Sequence, residues 1–484
     1  MRQEVLRVQR VTCTAQESMV LDNFNLHIFA GEIMGLIFVD SCGKQELVEL
    51  ICKNQPLHYG RVYYRDKLVN SYLHSPLTDN PVTLVEKHSH LVDDMSVADN
   101  VFVLRKGFKK YYMRPKMLAQ QFESFAAEAG VDIKGNGLVC NLTPYEKCVV
   151  QLLKGIILGH RLILIQDISN AISSAELVRF QNLLRHYASK GFAFLYMCSH
   201  HEEAFSICDR AAVVENGQVQ RNVDRPDFLN DIFHDYLLDA GLFGSGVKVP
   251  HGENTALTFQ QVCTQGLYNA NFSIEKGECV VLLDASNTAL GDIFDLLSGR
   301  QKLQSGKIWL DGAAYPSAKH RKEHAIGLIQ ESPVTSTLLP DFSYLDNLCF
   351  LAGEKQSNMW RCPRMRKSIR KEYLPYIGPD IDATDIHMLS PTSLYNLVYY
   401  RQHLYNPKLL VIMQPFFGAD MYLRRHILAL IDTIRKKGIA VLMLAINISD
   451  SPVVADRLLV LQNGGITTEY SSKDMERLNR QKNL

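Results

Sequence analysis

The chain of 484 residues contains one sequence pattern twice, and this duplication restricts its fold more than any other feature. The segment FNLHIFAGEIMGLIF around Gly31 returns as ANFSIEKGECVVLLD around Gly277, 246 residues later. YGRVYY returns as SGKIWLDG at the same offset. Three further segments return at an offset of 247: SVADNVF as SYLDNLCF, NLTPYE as MLSPTS, and CDRAAVVENG as ADRLLVLQNG. Anchors that recur in the same order predict two copies of one domain. We assign residues 1–235 to the first copy, 236–255 to a linker and 256–484 to the second.

Each copy alternates short apolar runs with segments of helical spacing. The runs IMGLIFV and CVVLLD precede QELVELICKN and GDIFDLLSG, in which apolar residues recur every three to four positions. Later apolar runs, RLILIQD with FAFLYMCS and KLLVIMQ with IAVLMLA, follow the same order in both copies. This alternation predicts an α/β fold with a mostly parallel sheet covered on both faces. A helix-rich stretch is expected near residues 104–160 and again near 351–407.

Composition excludes several classes of protein. The 52 Lys and Arg against 51 Asp and Glu give a net charge of +1, so no global field attracts nucleic acid. The 11 cysteines form no C-x-x-C pair, which argues against zinc or a disulfide framework and favours reduced thiols in the cytosol. No apolar run approaches the roughly 18–20 residues that span a bilayer, and the polar start MRQEVLRVQR does not predict a secretory signal.

The loop after the first buried strand reads FVDSCGKQ, from Phe38 to Gln45. Its place between strand and helix, within a duplicated α/β pattern that covers nearly the whole chain, resembles the tandem ATP-binding subunits of carbohydrate-type ABC importers. That resemblance implies two P-loop nucleotide-binding domains in tandem, each with a parallel sheet core and a helical subdomain. It also implies a phosphate loop G-x-x-G-x-G-K-[ST], whose backbone N–H groups and lysine hold ATP and whose hydroxyl binds Mg²⁺. Gly43 and Lys44 match this motif, while Gln45 replaces the hydroxyl and the two earlier glycines are missing.

Most of the other residues that bind or hydrolyse ATP in this family are replaced in this sequence. The magnesium-binding Asp and catalytic Glu fall on Gln166 and Asp167 in the first copy, and on Met413 and Gln414 in the second. Asp167 could ligate Mg²⁺ or orient water, or it could cap the turn at Ser169 and Asn170. The switch histidine falls on Ser199, although a shift of one residue would restore His200. No resident metal site is predicted, so Mg²⁺ would enter only with ATP.

The phosphate loop of the second copy reads DASNTALG from Asp284. It lacks the glycines and the lysine, and Asp284 would place a carboxylate where phosphate should lie. The family signature L-S-G-G-Q is replaced by LTPYE at Leu142 and LSPTS at Leu389, whose prolines suit the first turn of a helix. The glutamine that senses phosphate falls on Lys87 in the first copy.

Taken together, the resemblance implies a cytoplasmic subunit, peripheral on the inner face of the cell membrane and bound to integral-membrane permease subunits that import sugars or related small molecules. The replaced residues favour a pseudo-ATPase that binds ATP weakly or not at all and acts as a structural or regulatory subunit. Whether the chain is an enzyme stays open. One alternative is a soluble pseudo-ATPase regulator that binds a sensor or response protein, and another is a slow but genuine ATPase. A ribosome-binding tandem ABC protein is disfavoured by the short linker.

Two basic stretches occupy the same place in the two copies. Residues 105–116 read RKGFKKYYMRPK and residues 361–371 read RCPRMRKSIRK, with no acidic residue in either. They could be solvated helix faces, or they could attract an acidic protein or headgroup surface. We expect no nucleic-acid partner, although Tyr111, Tyr112 and Trp360 lie nearby.

Overall fold

The computed structural model describes residues 3–15, 18–87, 90–103, 115–198, 201–228, 255–284, 286–316, 325–352, 363–446, 453–471 and 474. The chain divides into two compact units, residues 1–234 with 418–421 and residues 235–417 with 422–484. Most of the segment 236–255 lies outside the described residues, so the linker there stays a prediction.

The first repeat contains two sheets and a set of helices. Its strands are β1 Glu4–Ala15, β2 Ser18–Phe29, β3 Ile33–Phe38, β4 Tyr59–Tyr64, β5 Lys67–Ser71, β6 Val82–Glu86, β7 Leu162–Gln166, β8 Ala193–Cys198, β9 Arg210–Glu215 and β10 Gln218–Asp224. Its helices are α1 Lys44–Cys52, α2 Val97–Phe102, α3 Pro115–Glu128, α4 Pro144–Leu158, α5 Ser174–Ser189 and α6 His201–Ile207, and short 3₁₀ turns lie at Val139–Asn141, Ile168–Asn170 and Arg225–Asp227.

The central sheet of this repeat has the order β6-β7-β8-β3-β9-β10, in which only β10 is antiparallel to its neighbour. Strand β3 is buried on both faces. Ile33 and Ile37 pack on the side of helices α2 to α5, whereas Met34 and Leu36 face the antiparallel sheet β2-β1-β4-β5. Burial on both faces explains why the strand appears as a continuous apolar run in the sequence.

The second repeat has strands β11 Thr255–Cys263, β12 Ala270–Glu275, β13 Cys279–Asp284, β14 Ser305–Leu310, β15 Ala313–Tyr315, β16 Ile326–Ile329, β17 Leu409–Met413, β18 Ala440–Ala445, β19 Arg457–Gln462 and β20 Gly465–Ser471. Its helices are α7 Leu290–Ser298, α8 Pro333–Thr337, α9 Tyr344–Cys349, α10 Pro363–Ile377, α11 Pro391–Tyr405 and α12 Met421–Lys436, with a 3₁₀ turn at Gly378–Asp382. The strand orders β16-β17-β18-β13-β19-β20 and β12-β11-β14-β15 repeat those of the first copy.

Matched contacts confirm the predicted α/β duplication. The carboxylate of Asp209 accepts a hydrogen bond from the backbone N–H of Ile33 at 3.0 Å, and Asp456 accepts one from Cys279 at 2.9 Å. The repeated glycine at the start of β4 and β14 also has one physical cause. A Cβ at Gly60 would lie 2.4 Å from the carbonyl oxygen of Arg10, and the corresponding distance for Gly306 is similar. Only glycine fits so close to a neighbouring backbone.

None of the helices in the described part of the chain combines the length and the apolar character that a membrane-spanning helix requires.

Candidate functional site

The loop between β3 and α1 is held by a carboxylate. Asp40 accepts hydrogen bonds from the backbone N–H of Cys42 at 2.9 Å and from that of Asn216 at 2.6 Å. The N–H of Val39 donates to the carbonyl of Val214 at 2.9 Å. These contacts tie the loop to β9 and the turn after it, and the amide of Cys42 is directed at a side chain of the protein. Asp40 could not be recognised from the sequence, because its partner Asn216 lies 176 residues away.

Gly43 retains a structural reason to be glycine. Its φ is 73°, and a Cβ there would lie 2.2 Å from the carbonyl oxygen of Val20. Helix α1 begins at the next residue and has no side-chain cap at its N-terminus. The glycine therefore serves the turn into α1 whether or not a phosphate binds.

Lys44 and Asp167 form an ion pair. The ammonium of Lys44 donates to the Asp167 carboxylate, and the side chains are 14% and 20% exposed. The Phe38 ring lies beneath this ammonium, 5.7 Å from it. Lys44 is therefore not a freely exposed lysine. The alternative that Asp167 caps Ser169 and Asn170 is also wrong, because Asp167 makes no side-chain cap contact with that turn.

Gln45 and Gln166 stand where the resemblance places the two residues that bind magnesium, and their side chains have different surroundings. Gln45 is exposed and donates along the surface of α1 to Glu49 at 3.3 Å. The side-chain oxygen of Gln166, at the end of β7, is buried and has no hydrogen-bond partner within the described part of the chain. His200, with Ser199, lies outside the described residues, so its role stays a prediction.

Asp284 closes the corresponding loop of the second repeat. Its side chain is fully buried, and one carboxylate oxygen accepts from the N–H of Ser286 at 3.0 Å and from its hydroxyl at 2.6 Å. The other oxygen accepts from the N–H groups of Thr288 and Ala289, both at 2.8 Å. The loop N–H groups at the start of α7 thus already hold an anion that belongs to the chain itself.

In the second repeat, Met413 and Gln414 stand at the strand end that corresponds to Gln166 and Asp167, and Gln414 makes another internal contact. Gln414, after β17, donates from its side-chain amide to Glu331 at 2.7 Å. Both Asp167 and Gln414 have a left-handed backbone, with φ of 46° and 44°. The local fold of this position is therefore common to both repeats, although the side-chain chemistry differs.

The turns that replace the signature retain their helix starts. Thr143 caps α4 by accepting from the N–H of Glu146 at 3.2 Å, and the Glu146 carboxylate accepts in return from the N–H of Thr143 at 2.8 Å. Ser390 caps α11 through the N–H of Ser393 at 3.2 Å. A cavity of about 800 Å³ lies beside the start of α4 and is partly lined by Tyr145, whose pKa is raised by burial. Lys44 does not line this cavity.

The first loop fits ATP only in part. Gly43 and Lys44 stand where the resemblance requires them, but the lysine is neutralised by Asp167 and the magnesium positions hold Gln45 and Gln166. Within the described ranges, no three His, Cys, Asp or Glu side chains are grouped so as to hold a metal ion. Any Mg²⁺ would have to arrive with a nucleotide and take ligands from it.

Two mostly parallel sheets, each with a central strand–loop–helix and a helical segment, give the chain the fold of a tandem pair of ABC-type nucleotide-binding domains. The fold resembles solved structures over 98% of the chain: RNase-L inhibitor, with a TM-score of 0.62 and 12% identity, and archaeal ribosome recycling factor aABCE1, with 0.61 and 13%. Each match covers 92% of the solved chain.

The chain is similar in sequence to ribose import ATP-binding proteins RbsA. It is 21% identical to that of Clostridium perfringens, covering 93% of this chain and 92% of the relative. It is 22% identical to that of Caldanaerobacter subterraneus, covering 94% of each, and 20% identical to that of Yersinia pestis, covering 98% and 95%. No protein-family profile matches the chain.

Proposed function

We propose that the protein is the nucleotide-binding-domain subunit of an importer for sugars or related small molecules and that it hydrolyses ATP poorly or not at all. It would lie on the cytoplasmic face of the membrane, bound to permease subunits, as a structural or regulatory partner. Similarity to ribose import ATP-binding proteins over more than nine-tenths of both chains supports the transport setting.

The closure of the second loop by Asp284 is the observation that carries the pseudo-ATPase proposal. A phosphate at this loop would have to displace a fully buried carboxylate from four hydrogen bonds. It would then share the site with that like charge, which disfavours binding. Each lost preorganised donor in a phosphoryl-transfer site typically costs about 10²–10³ in rate.

The first repeat is the place where any nucleotide would bind. Gly43, Lys44 and Gln45 would contact the phosphates, and Asp167 would be released from Lys44 when they do. ATP would therefore have to compete with an ion pair that is mostly shielded from water. Weak binding follows from that competition. The same residues leave a slow but genuine ATPase as the second candidate, because glycine and lysine persist there.

Nucleotide binding and steady-state ATP hydrolysis by the purified chain test this proposal. We expect turnover far below the ~10 s⁻¹ that is typical of enzymes and weak binding that Lys44→Ala removes. Lys53→Ala, an exposed lysine just after the same helix, is the matched control and should change neither. Turnover near ~10 s⁻¹ that is abolished by Lys44→Ala would contradict the proposal.

Co-purification separates the transport setting from the alternative of a soluble regulator. Recovery with integral-membrane permease subunits is the expected result. Recovery with a soluble sensor or response protein and without membranes would favour the regulator, which the relatives found by sequence do not support. We expect no nucleic-acid partner in either case.

A further inference from the structure

Helix α10 contains five basic residues, and two of them have acidic partners. Arg366 contacts Asp346 at 2.7 Å, and Arg370 makes a bidentate contact with Asp382 at 2.6 and 2.5 Å. Hydrogen bonding to Arg370 lowers the pKa of Asp382. These two arginines therefore fix α10 to neighbouring elements of its own repeat.

The other three basic residues, Arg364, Lys367 and Lys371, form a stripe on the outside of α10. All three are exposed, and none forms an ion pair within the described part of the chain. At 3.6 residues per turn, their positions fall within an arc of about 60° and extend along about 10 Å of the helix. We call this set the basic stripe. Its like charges repel one another and gain no compensating contact from the fold.

Helix α3, which corresponds to α10 in the first repeat, lacks the basic stripe. The buried residues Phe122 and Ala126 of α3 correspond to the buried residues Ile369 and Tyr373 of α10. The two helices are therefore aligned at an offset of 247 residues. By that correspondence the stripe positions of α3 hold Met117, Gln120 and Ser124. The predicted equivalence of the two basic stretches therefore fails for the helices themselves. Residues 105–114, which carry most of the first stretch, lie outside the described residues.

We propose that the basic stripe is a docking surface for an acidic segment of a partner protein. This inference rests on the proposed function, because a permease subunit would carry the acidic segment. Three uncompensated cations on one helix face match carboxylates at helical spacing on a partner. Clusters that bind anionic lipid usually hold four to eight Lys or Arg, and the stripe has fewer. Ser368 and Pro375 lie along the same face, and Leu374 lies at its edge.

The test uses the full chain and three probes: a helical peptide with Glu at positions i, i+3 and i+7, vesicles with 30% phosphatidylserine, and neutral vesicles. The stripe variant is Arg364→Gln, Lys367→Gln, Lys371→Gln. Its charge-matched control is Arg221→Gln, Lys302→Gln, Lys307→Gln, which removes three exposed cations elsewhere. We expect the stripe variant to bind the peptide at least tenfold more weakly at low salt, with a flatter salt dependence, while the control binds as the unaltered chain does.

Equal weakening by both variants would show an effect of net charge alone and would overturn the proposal, as would undiminished binding by the stripe variant. Binding to the anionic vesicles in preference to the peptide would overturn it in favour of a lipid surface. Because the stripe residues are exposed, melting temperatures should coincide, which removes misfolding as a cause. Failure here would leave the nucleotide and co-purification results unchanged, so the two proposals fail separately.

Discussion

The two repeats share their strand order but differ in how each neutralises the loop after its central strand. In the first repeat, the lysine of the motif is retained as Lys44, and it forms an ion pair with Asp167, 123 residues further along the chain. In the second, Asp284 supplies an anion to its own loop from within six residues. In the first repeat, a phosphate could therefore compete with Asp167 for Lys44. In the second repeat, the loop N–H groups are already bonded to a carboxylate that is part of the fold.

In both repeats, a carboxylate of the chain itself accepts hydrogen bonds from the loop after the central strand. The N–H groups of a strand–loop–helix must be satisfied when buried, and an internal carboxylate can do so. Asp40 serves this purpose in part in the first repeat, and Asp284 serves it more completely in the second.

Asp284→Ala should have the largest effect on stability. It leaves the N–H groups of Thr288 and Ala289 without their acceptor, at a cost of about 3 kcal/mol. Urea unfolding, with hydrogen exchange of the segment 279–298, measures this loss. Inorganic phosphate should stabilise the variant more than the unaltered chain, because the vacated N–H groups favour an anion. Asp284→Asn, which keeps one oxygen, should lie between the two. A loss well below 1 kcal/mol would show that the loop does not depend on the carboxylate.

Lys44→Ala should have a smaller effect, confined to the first repeat. It leaves Asp167 without its partner, which costs about 1–3 kcal/mol, whereas the exposed control Lys53→Ala should cost almost nothing. A double-mutant cycle with Asp167→Ala isolates the pair, because the joint loss should be smaller than the sum of the single losses. Additive losses would mean that the ion pair contributes nothing in solution.

Acid should affect the second repeat selectively. Burial, together with the charge of Lys437, lowers the pKa of His403 from 6.5 to about 4, while α4 has Ile156 at the matching position. Between these two values the unfolded chain binds a proton at His403 and the folded chain does not, so folding stability decreases as the pH falls. Above pH 6.5 this contribution is complete.

Hydrogen exchange, corrected for its intrinsic rate, measures this effect between pH 7 and 5. Segments 363–377 and 391–405 should lose protection, while 115–128 and 144–158 keep theirs. His403→Gln, which retains a polar partner for Tyr373, should remove part of the difference. The rest belongs to His426, whose pKa burial also lowers and which contacts Asn396 of α11 at 2.7 Å. Equal loss in both repeats, or no change with His403→Gln, would assign the acid sensitivity to other groups.

Much of the fold could be predicted because the relevant signals are local or repeated. Continuous apolar runs identified the central strands, and the hydroxyl–proline pairs at Thr143 and Ser390 predicted the starts of α4 and α11. The lost phosphate contacts could also be read from Gln45 and Asp284. The role of Asp167 could not, because a carboxylate at a strand end can cap a turn, bind a metal or pair with a lysine.

The sequence by itself determined the duplication, the strand–loop–helix in each copy and the loss of the phosphate motif in the second loop, since each of these is a local or repeated pattern. Only the tertiary structure decided that Lys44 pairs with Asp167 and that Asp40 binds the turn at Asn216. These contacts exist because the parallel sheet places β7 two strands from β3, with β8 between them, and β9 directly beside β3. Strand order depends on long-range packing of both sheet faces, which no local pattern of residues specifies.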